Sequence, residues 1–424
     1  MTRSLRCIGV VLVAAVLAAA CGSSGPKAVK PHPPVDQGPK LAGKGAHAAK
    51  PTAAALRAAA AGEEQFAVAL YRELARAPGN VAVAPSSIAT VLGMIVAGAH
   101  GTTEQQVLHA LHVQLPASQL HGALGGLPQA FADRSGDGVT LAEVDQAWLQ
   151  QGLSVLGPYS DTLAGSYNAP LASIDFAQAS AAAATINAWF AEHTHGKITK
   201  LIDAGDLDAS TALVLTDAVY LAAQWKYAFD PKLTKPTPFH PATGPAVNVP
   251  TMSYGEAQLL AYGSGNGWRE VVLPYKGNAL EMDVIVPDDL ASFESTLDAA
   301  RLASILRDVH PGNVYLSLPR FDTRVSSDLI DPLKKLGITD VFSPVNSDLS
   351  GIDGRPGLFV SAIKHQVVVH VDEQGTVAAG ATAGVVSVSA VSPSTVLKVD
   401  RPFVYVVRDR TTGAILFLGR VSAV

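Results

Sequence analysis

The sequence predicts an α+β fold built as one large unit, and three observations predict it. Helical patterns occupy the first half of the chain, and β-branched runs crowd the second. The sequence shows neither βαβ alternation nor an internal repeat. Its 424 residues are 48% hydrophobic and 16% charged, enough for a sizeable core and too apolar for global disorder. Lys and Arg number 31 against 36 Asp and Glu, a formal net charge of −5 that argues against a nucleic-acid binder.

Residues 1–20 read as an export signal, with Arg3 and Arg6 ahead of an apolar stretch from Ile8 to Leu17. The uncharged run from Cys7 to Ala20 is 14 residues long, short of the ~20 that a membrane-spanning helix needs. Leu17-Ala18-Ala19-Ala20-Cys21-Gly22 resembles a bacterial lipobox, although Ala18 stands where Leu is commoner. Cys21 is therefore the expected lipidation site, and its acyl chains would hold the protein on the outer face of the cell membrane. Secretion by an ordinary signal peptide is the alternative. Cys7 and Cys21 are the only cysteines, which leaves no disulfide framework for the folded part. Residues 21–62, rich in Gly, Ser, Pro, Lys and Ala, read as the lipidated N-terminus and a flexible tether, with a short helix over Ala53–Ala61 as an option. The folded domain is expected at 63–424.

Phe66, Leu70 and Leu74 recur four apart and predict a helix over Glu63–Ala77. Ser86–Ala99, apolar nearly all round and preceded by Pro85, reads as a buried helix with serines near its cap. Ser180–Glu192 is a further helix, with Ser180 as its cap. Strands are expected at Thr211–Ala222, Leu280–Val286, Val314–Leu318, Gln366–Val371, Phe403–Val407 and Ile415–Leu418. One segment stands apart: Glu373 to Thr395 runs 23 residues with small, almost uncharged side chains. A structureless stretch of that length inside a compact domain is uncommon and usually functional.

A series of short motifs runs through the same region. It begins with Asn80–Ile88 (NVAVAPSSI), Gly98–Thr103, and Asn187-Ala188-Trp189 followed by Thr194–Ile198. Val214–Leu221 with Trp225 and Phe229, Leu336–Ile338 with Val341 and Phe342, and Asp348–Ile352 come next. His365, Asp372-Glu373, Gly375-Thr376, Ala378–Ala381, Arg401–Phe403 and Phe417–Val421 close it. In this order and spacing, from Glu63 to Val424, the chain resembles the serpin family. The resemblance implies helices packed on a large mixed β-sheet, two smaller sheets and an exposed reactive loop at about 373–400.

It also implies a suicide-type inhibitor of serine or cysteine proteases, acting as a monomer without cofactor or metal. A protease attacks the loop and forms an acyl-enzyme; the cut loop then enters the large sheet as a new strand and distorts the protease. The implied hinge comprises Glu373, Gly375, Thr376, Ala378, Ala379, Gly380 and Ala381. The implied sheet-opening region holds Ser87, Asp217, Trp225 and His365. Here Ala84 replaces a family Ser and Asp217 a family Asn; an Asp–His pair can still bridge the gap, with more sensitivity to pH. Val377 stands where many inhibitory members carry Glu.

Alternation along an inserted strand would face Thr376, Ala378, Gly380, Thr382, Gly384 and Val386 inward, nothing larger than valine. Non-inhibitory members tend to carry bulky, charged or Pro residues there. The family's spacing puts the scissile bond at Ser389–Ala390, with Val388 and Val391 left open because this loop is longer than common members. No Lys or Arg lies between Glu373 and Lys398, and no aromatic, so trypsin-like and chymotrypsin-like targets are disfavoured. An elastase-like or subtilisin-like protease fits. Two other classes compete: a non-inhibitory surface binding protein on the same scaffold, and an acyl-transfer enzyme using Ser361-Ala362-Ile363-Lys364. The second lacks its S-D-N and K-T-G companions. Gly263–Gly267 reads as a plain turn, and His109, His112, His193 and His195 as ordinary histidines.

Overall fold

The structure, a computed structural model, describes residues 50–134, 136, 138–169, 171–376 and 394–424. The chain opens with α1 (Ala53–Leu74), β1 (Val81–Val83), α2 (Pro85–Val96), α3 (Gly101–Ala110) and α4 (Ala117–Ala132). Next come β2 (Val139–Gln150), α5 (Gly157–Tyr167), β3 (Ala172–Ile174), α6 (Ala179–His193) and β4 (Leu213–Gln224). A run of strands follows: β5 (Lys235–Phe239), β6 (Val247–Ser253), β7 (Gln258–Gly265), β8 (Trp268–Pro274) and β9 (Leu280–Pro287). Then α7 (Leu290–Ser295) and α8 (Ala299–Arg307) precede β10 (His310–Pro319), β11 (Phe321–Asp328), α9 (Ile330–Lys335) and α10 (Ser350–Asp353). The chain closes with β12 (Val360–Val371), β13 (Gly375–Thr376), β14 (Ser394–Lys398), β15 (Phe403–Asp409) and β16 (Ile415–Val421).

The first helix starts at Ala53, well before Glu63. Alanine is the strongest helix former, Thr52 Oγ1 caps the first turn by accepting from the Ala55 amide at 3.1 Å, and Ala55, Ala59 and Ala60 are buried. Gly62 looks like a helix breaker in sequence, yet it is a close-packing position: a Cβ there would stand 2.7 Å from the His112 carbonyl oxygen. Helix α2 has all twelve residues buried. Its cap is Ala84, with no side-chain bond, so the neighbouring serines serve another purpose. Ser180 likewise lies inside α6, whose cap is Gln178. The 12-residue strand β2 was not expected, because Glu143, Asp145 and Gln146 interrupt its apolar residues with side chains typical of a surface.

Two sheets organise the molecule. The six-stranded sheet runs β11-β12-β13-β4-β2-β3, with β12 also paired directly to β4. The other is ten-stranded, in the order β1-β16-β15-β9-β8-β7-β10-β6-β5 with β14 on β10. The two smaller sheets expected from sequence share strand β10, which pairs β7 through its first half and β6 through its last three residues. The main core lies between the sheets and around α2, which packs on β2, β4 and β16. Helix α6 covers the opposite face of the six-stranded sheet: Ile186 and Phe190 cluster there with Trp148, Val214 and Ala218. No helix among the described residues is long and apolar enough to cross a membrane.

Candidate functional site

Strands β4 and β12 run parallel and are paired from Leu213–Val360 to Tyr220–Val368. Beyond that point they part, and the gap admits the two-residue strand β13. Gly375 faces Gln224, while Thr376 faces Ala223 on one side and Val371 on the other. Gly375 and Thr376, of the implied hinge, therefore sit at the head of a seam along which β4 and β12 are paired directly.

Backbone and side-chain bonds fix that head. The Trp225 amide donates to the Gln374 carbonyl at 2.8 Å, and Trp225 Nε1 to the Asp372 carbonyl at 3.0 Å. The Phe229 amide donates to the Glu373 carbonyl at 2.9 Å. Gly375 has φ +153°, and a Cβ on it would stand 2.0 Å from the Ala223 carbonyl oxygen, so only glycine fits. Arg320 clamps the buried Glu373 carboxylate, Nε at 2.8 and 3.0 Å from its two oxygens, and Thr234 donates to it as well. Burial opposes ionisation of Glu373, but these bonds outweigh it and hold the carboxyl below its ordinary value.

Farther down the seam, Asp145, Asp217 and His365 form one row across β2, β4 and β12. His365 Nδ1 lies 2.6 Å from Asp217 Oδ2, and both side chains are fully buried. The Ala84 amide donates to His365 Nε2 at 3.1 Å, so Nε2 carries no proton and Nδ1 donates to Asp217. Below the row, Ser87 Oγ touches Oδ1 of Asp217 and, at 2.9 Å, Oδ1 of Asp145. One hydroxyl proton cannot serve two acceptors. The consistent arrangement has a protonated Asp145 donating to Ser87, and Ser87 donating to Asp217. Burial, then the Glu143 and Asp217 charges, push Asp145 well above its ordinary range. Burial, then the Asp217 charge, push Glu143 up to about 8.

Ser87, Asp217 and His365 meet at one point of the seam. Trp225 does not join them: it lies one residue past the end of β4, eight residues from Asp217 and roughly 26 Å away at about 3.3 Å per strand residue, and bonds to Asp372 and Gln374 instead. The sequence reading missed Glu143, Asp145, Arg320 and Tyr275. The two acids recur at period two in an unrecognised strand, a pattern that was available. Of the hinge residues, Glu373, Gly375 and Thr376 are placed. Ala378, Ala379, Gly380, Ala381, Val388, Ser389, Ala390, Val391 and Cys21 lie outside the described residues. Ser361 and Lys364 form no catalytic pair: Ser361 lies in a bulge of the β4–β12 ladder, and each side chain is engaged by other partners. Ser361 Oγ accepts from the Ala212 amide, and Lys364 Nζ is held by Asp206 and Asp328 at 2.8 and 3.0 Å. Of the expected turn Gly263–Gly267, residues Gly263–Gly265 are the end of β7, paired with Trp268–Glu270, and only Asn266 and Gly267 turn the chain into β8.

A model of the family described as Serpin (serine protease inhibitor) matches residues 61–424. The chain belongs to the serpin family. Its relatives include leukocyte elastase inhibitor from Bos taurus, 34% identical over 375 residues, covering 86% of this chain and 98% of that one. Iripin-8 from Ixodes ricinus is 34% identical over 357 residues, 81% of this chain and 88% of that one. Among solved structures, Serpin48 of the insect Tenebrio molitor matches with TM-score 0.77 at 28% identity, covering 86% and 97% of the two chains. Human thyroxine-binding globulin, solved with its hormone, matches with TM-score 0.79 at 26% identity over 87% and 99%. The serpin fold is thus shared by proteins named for different tasks, and the fold alone does not assign one. The family and the leukocyte elastase inhibitor named above are described as protease inhibitors and not as catalytic enzymes, which sets aside the acyl-transfer reading of Ser361 and Lys364.

Proposed function

We propose that this serpin is a suicide-type inhibitor of a serine protease with a small primary pocket, elastase-like or subtilisin-like. The observation that carries the reading is the closed β4–β12 seam with Thr376 already seated at its head. Thr376 is fully buried, so alternation turns Ala378, Gly380, Thr382, Gly384 and Val386 inward when the strand is extended. Every one of them is small. Continued in register, both ladders bring Thr382 between Asp217 and His365, where its hydroxyl would replace the hydrogen bond that insertion breaks. Insertion exchanges one parallel pairing for two antiparallel ones, which are slightly more stable per residue.

The cattle relative's name, an elastase inhibitor, agrees with the uncharged loop. The test is to mix the protein with elastase, subtilisin and trypsin, and to locate the cut by mass spectrometry. Denaturant-resistant adducts with the first two, cut at Ser389–Ala390 or at the adjacent Val388 or Val391, are expected. Rapid stoichiometric trapping of trypsin would overturn the pocket assignment. Cleavage without any adduct would favour a binding scaffold, the task for which thyroxine-binding globulin is named.

The leading segment supports export and attachment through a lipidated Cys21 to the outer face of a bacterial membrane. Cys21→Ala should move the protein out of the detergent phase. Unchanged partitioning would count against the anchor.

A further inference from the structure

We propose that Tyr275 is a positioning residue for loop insertion, its hydroxyl reading the register in which the hinge enters the seam. The proposal rests on the insertion mechanism above. Tyr275 belongs to the turn between β8 and β9, in the ten-stranded sheet, and is fully buried. Its ring stacks on Trp225 at 4.6 Å between centroids and 11° between planes, and the two residues also form a backbone bridge. The Tyr275 hydroxyl lies 2.7 Å from Thr376 Oγ1, both groups being buried. A post fixed in one sheet therefore grips the first residue to enter the other.

The bonds to Asp372, Glu373 and Gln374 anchor the segment just before β13, but β13 itself is two residues long, and a ladder that short adds little to hold the register of the residues that follow. A slip of one residue would turn the whole inward set outward and bring Val377 to the core. Of Gly375, Thr376 and Val377, only Thr376 carries a hydroxyl. Either slipped register would leave the Tyr275 hydroxyl buried without its partner, which is costlier than forming the bond is rewarding. The pair thus favours one alignment before most of the new strand has formed.

The test uses full-length Tyr275→Phe, Thr376→Val, the double variant and Thr376→Ser, each titrated against the trapped protease. Each single loss of a hydroxyl should raise the stoichiometry of inhibition about two- to tenfold, the range that one neutral hydrogen bond spans. The double variant should be no worse than either single, and Thr376→Ser should match wild type. The association rate constant and the bond cut should stay unchanged, because attack on the loop precedes insertion. Hydrogen exchange at Gly375 and Thr376 in the uncleaved protein should quicken in Tyr275→Phe, a readout independent of any protease. Unchanged stoichiometry, additive effects or unchanged exchange would each overturn the inference. Failure of wild type to form any adduct, with exchange still quickened, would overturn the trapping mechanism and leave the hinge contact standing.

Discussion

At the scale of single residues, two sets of buried carboxyls titrate in opposite directions. Glu373 is held ionised by Arg320, so its folded pKa lies below 4.5 and its stabilisation is lost as pH falls through that folded value. Glu143 and Asp145 behave in reverse: their folded pKa values are raised, so their stabilisation is complete in acid and disappears as pH climbs. For Glu143 the window runs from about 4.5 to about 8. Glu143→Gln and Asp145→Asn keep neutral groups at these positions, and an asparagine amide can still donate to Ser87. Both variants should flatten the fall in unfolding temperature between pH 5 and pH 8.5 and be more stable than wild type at the upper end. Parallel melting curves for wild type and variants across that range would count against the protonated Asp145. Arg320→Ala should act at the other end, destabilising the hinge at neutral pH and weakening the acid-side loss.

At the scale of elements, legibility in the sequence followed how local the signal was. Apolar strands such as β9 and β15 declared themselves, because a run of β-branched side chains has few other uses. Strand β2 did not, since Glu143 and Asp145 look like surface residues until Ser87 and Asp217 are brought against them by distant parts of the chain. The pairing of Asp217 with His365 could be expected from the family pattern. The division of the implied site into a hinge and a distant row could not, because it depends on where along β4 each residue falls. The same strand logic makes a prediction for the hinge. Thr376 is already buried at the head of the seam in the uncleaved protein, so Thr376→Arg would drive the hinge out of the sheet, and insertion would then have to bury an unpartnered charge at a cost of several kcal/mol. Cleavage should continue while trapping fails, leaving active protease and cut inhibitor. Val377→Arg, outward in the inserted strand, should trap almost normally. Equal trapping by the two variants would mean that the inward register is wrong.

At the scale of the whole molecule, the insertion proposed above requires that the uncleaved fold not be the most stable arrangement of its own chain. Between residues 376 and 386 an inserted strand would satisfy its backbone on both sides, while the β4–β12 pairing it replaces satisfies one edge of each neighbour. The net gain is on the order of ten hydrogen bonds at about 1 kcal/mol each, and no large side chain opposes it. Intact, the chain cannot collect this gain, because both ends of the loop are tied: Thr376 at the head of the seam, and Ser394 at the start of β14, paired to Asn313 in the other sheet. Severing the loop frees one end. For a domain of this size the unfolding entropy is roughly 0.8 kcal/mol per degree, so cleavage should raise the unfolding temperature by roughly ten degrees or more. The check is calorimetry before and after limited cleavage by an elastase-like protease, with Thr376→Arg as the control that is cut but does not insert. A cleaved wild type that melts where the intact protein does would show that the seam stays shut. The small-residue loop would then be only a cleavable strap, and trapping by insertion would be lost with it.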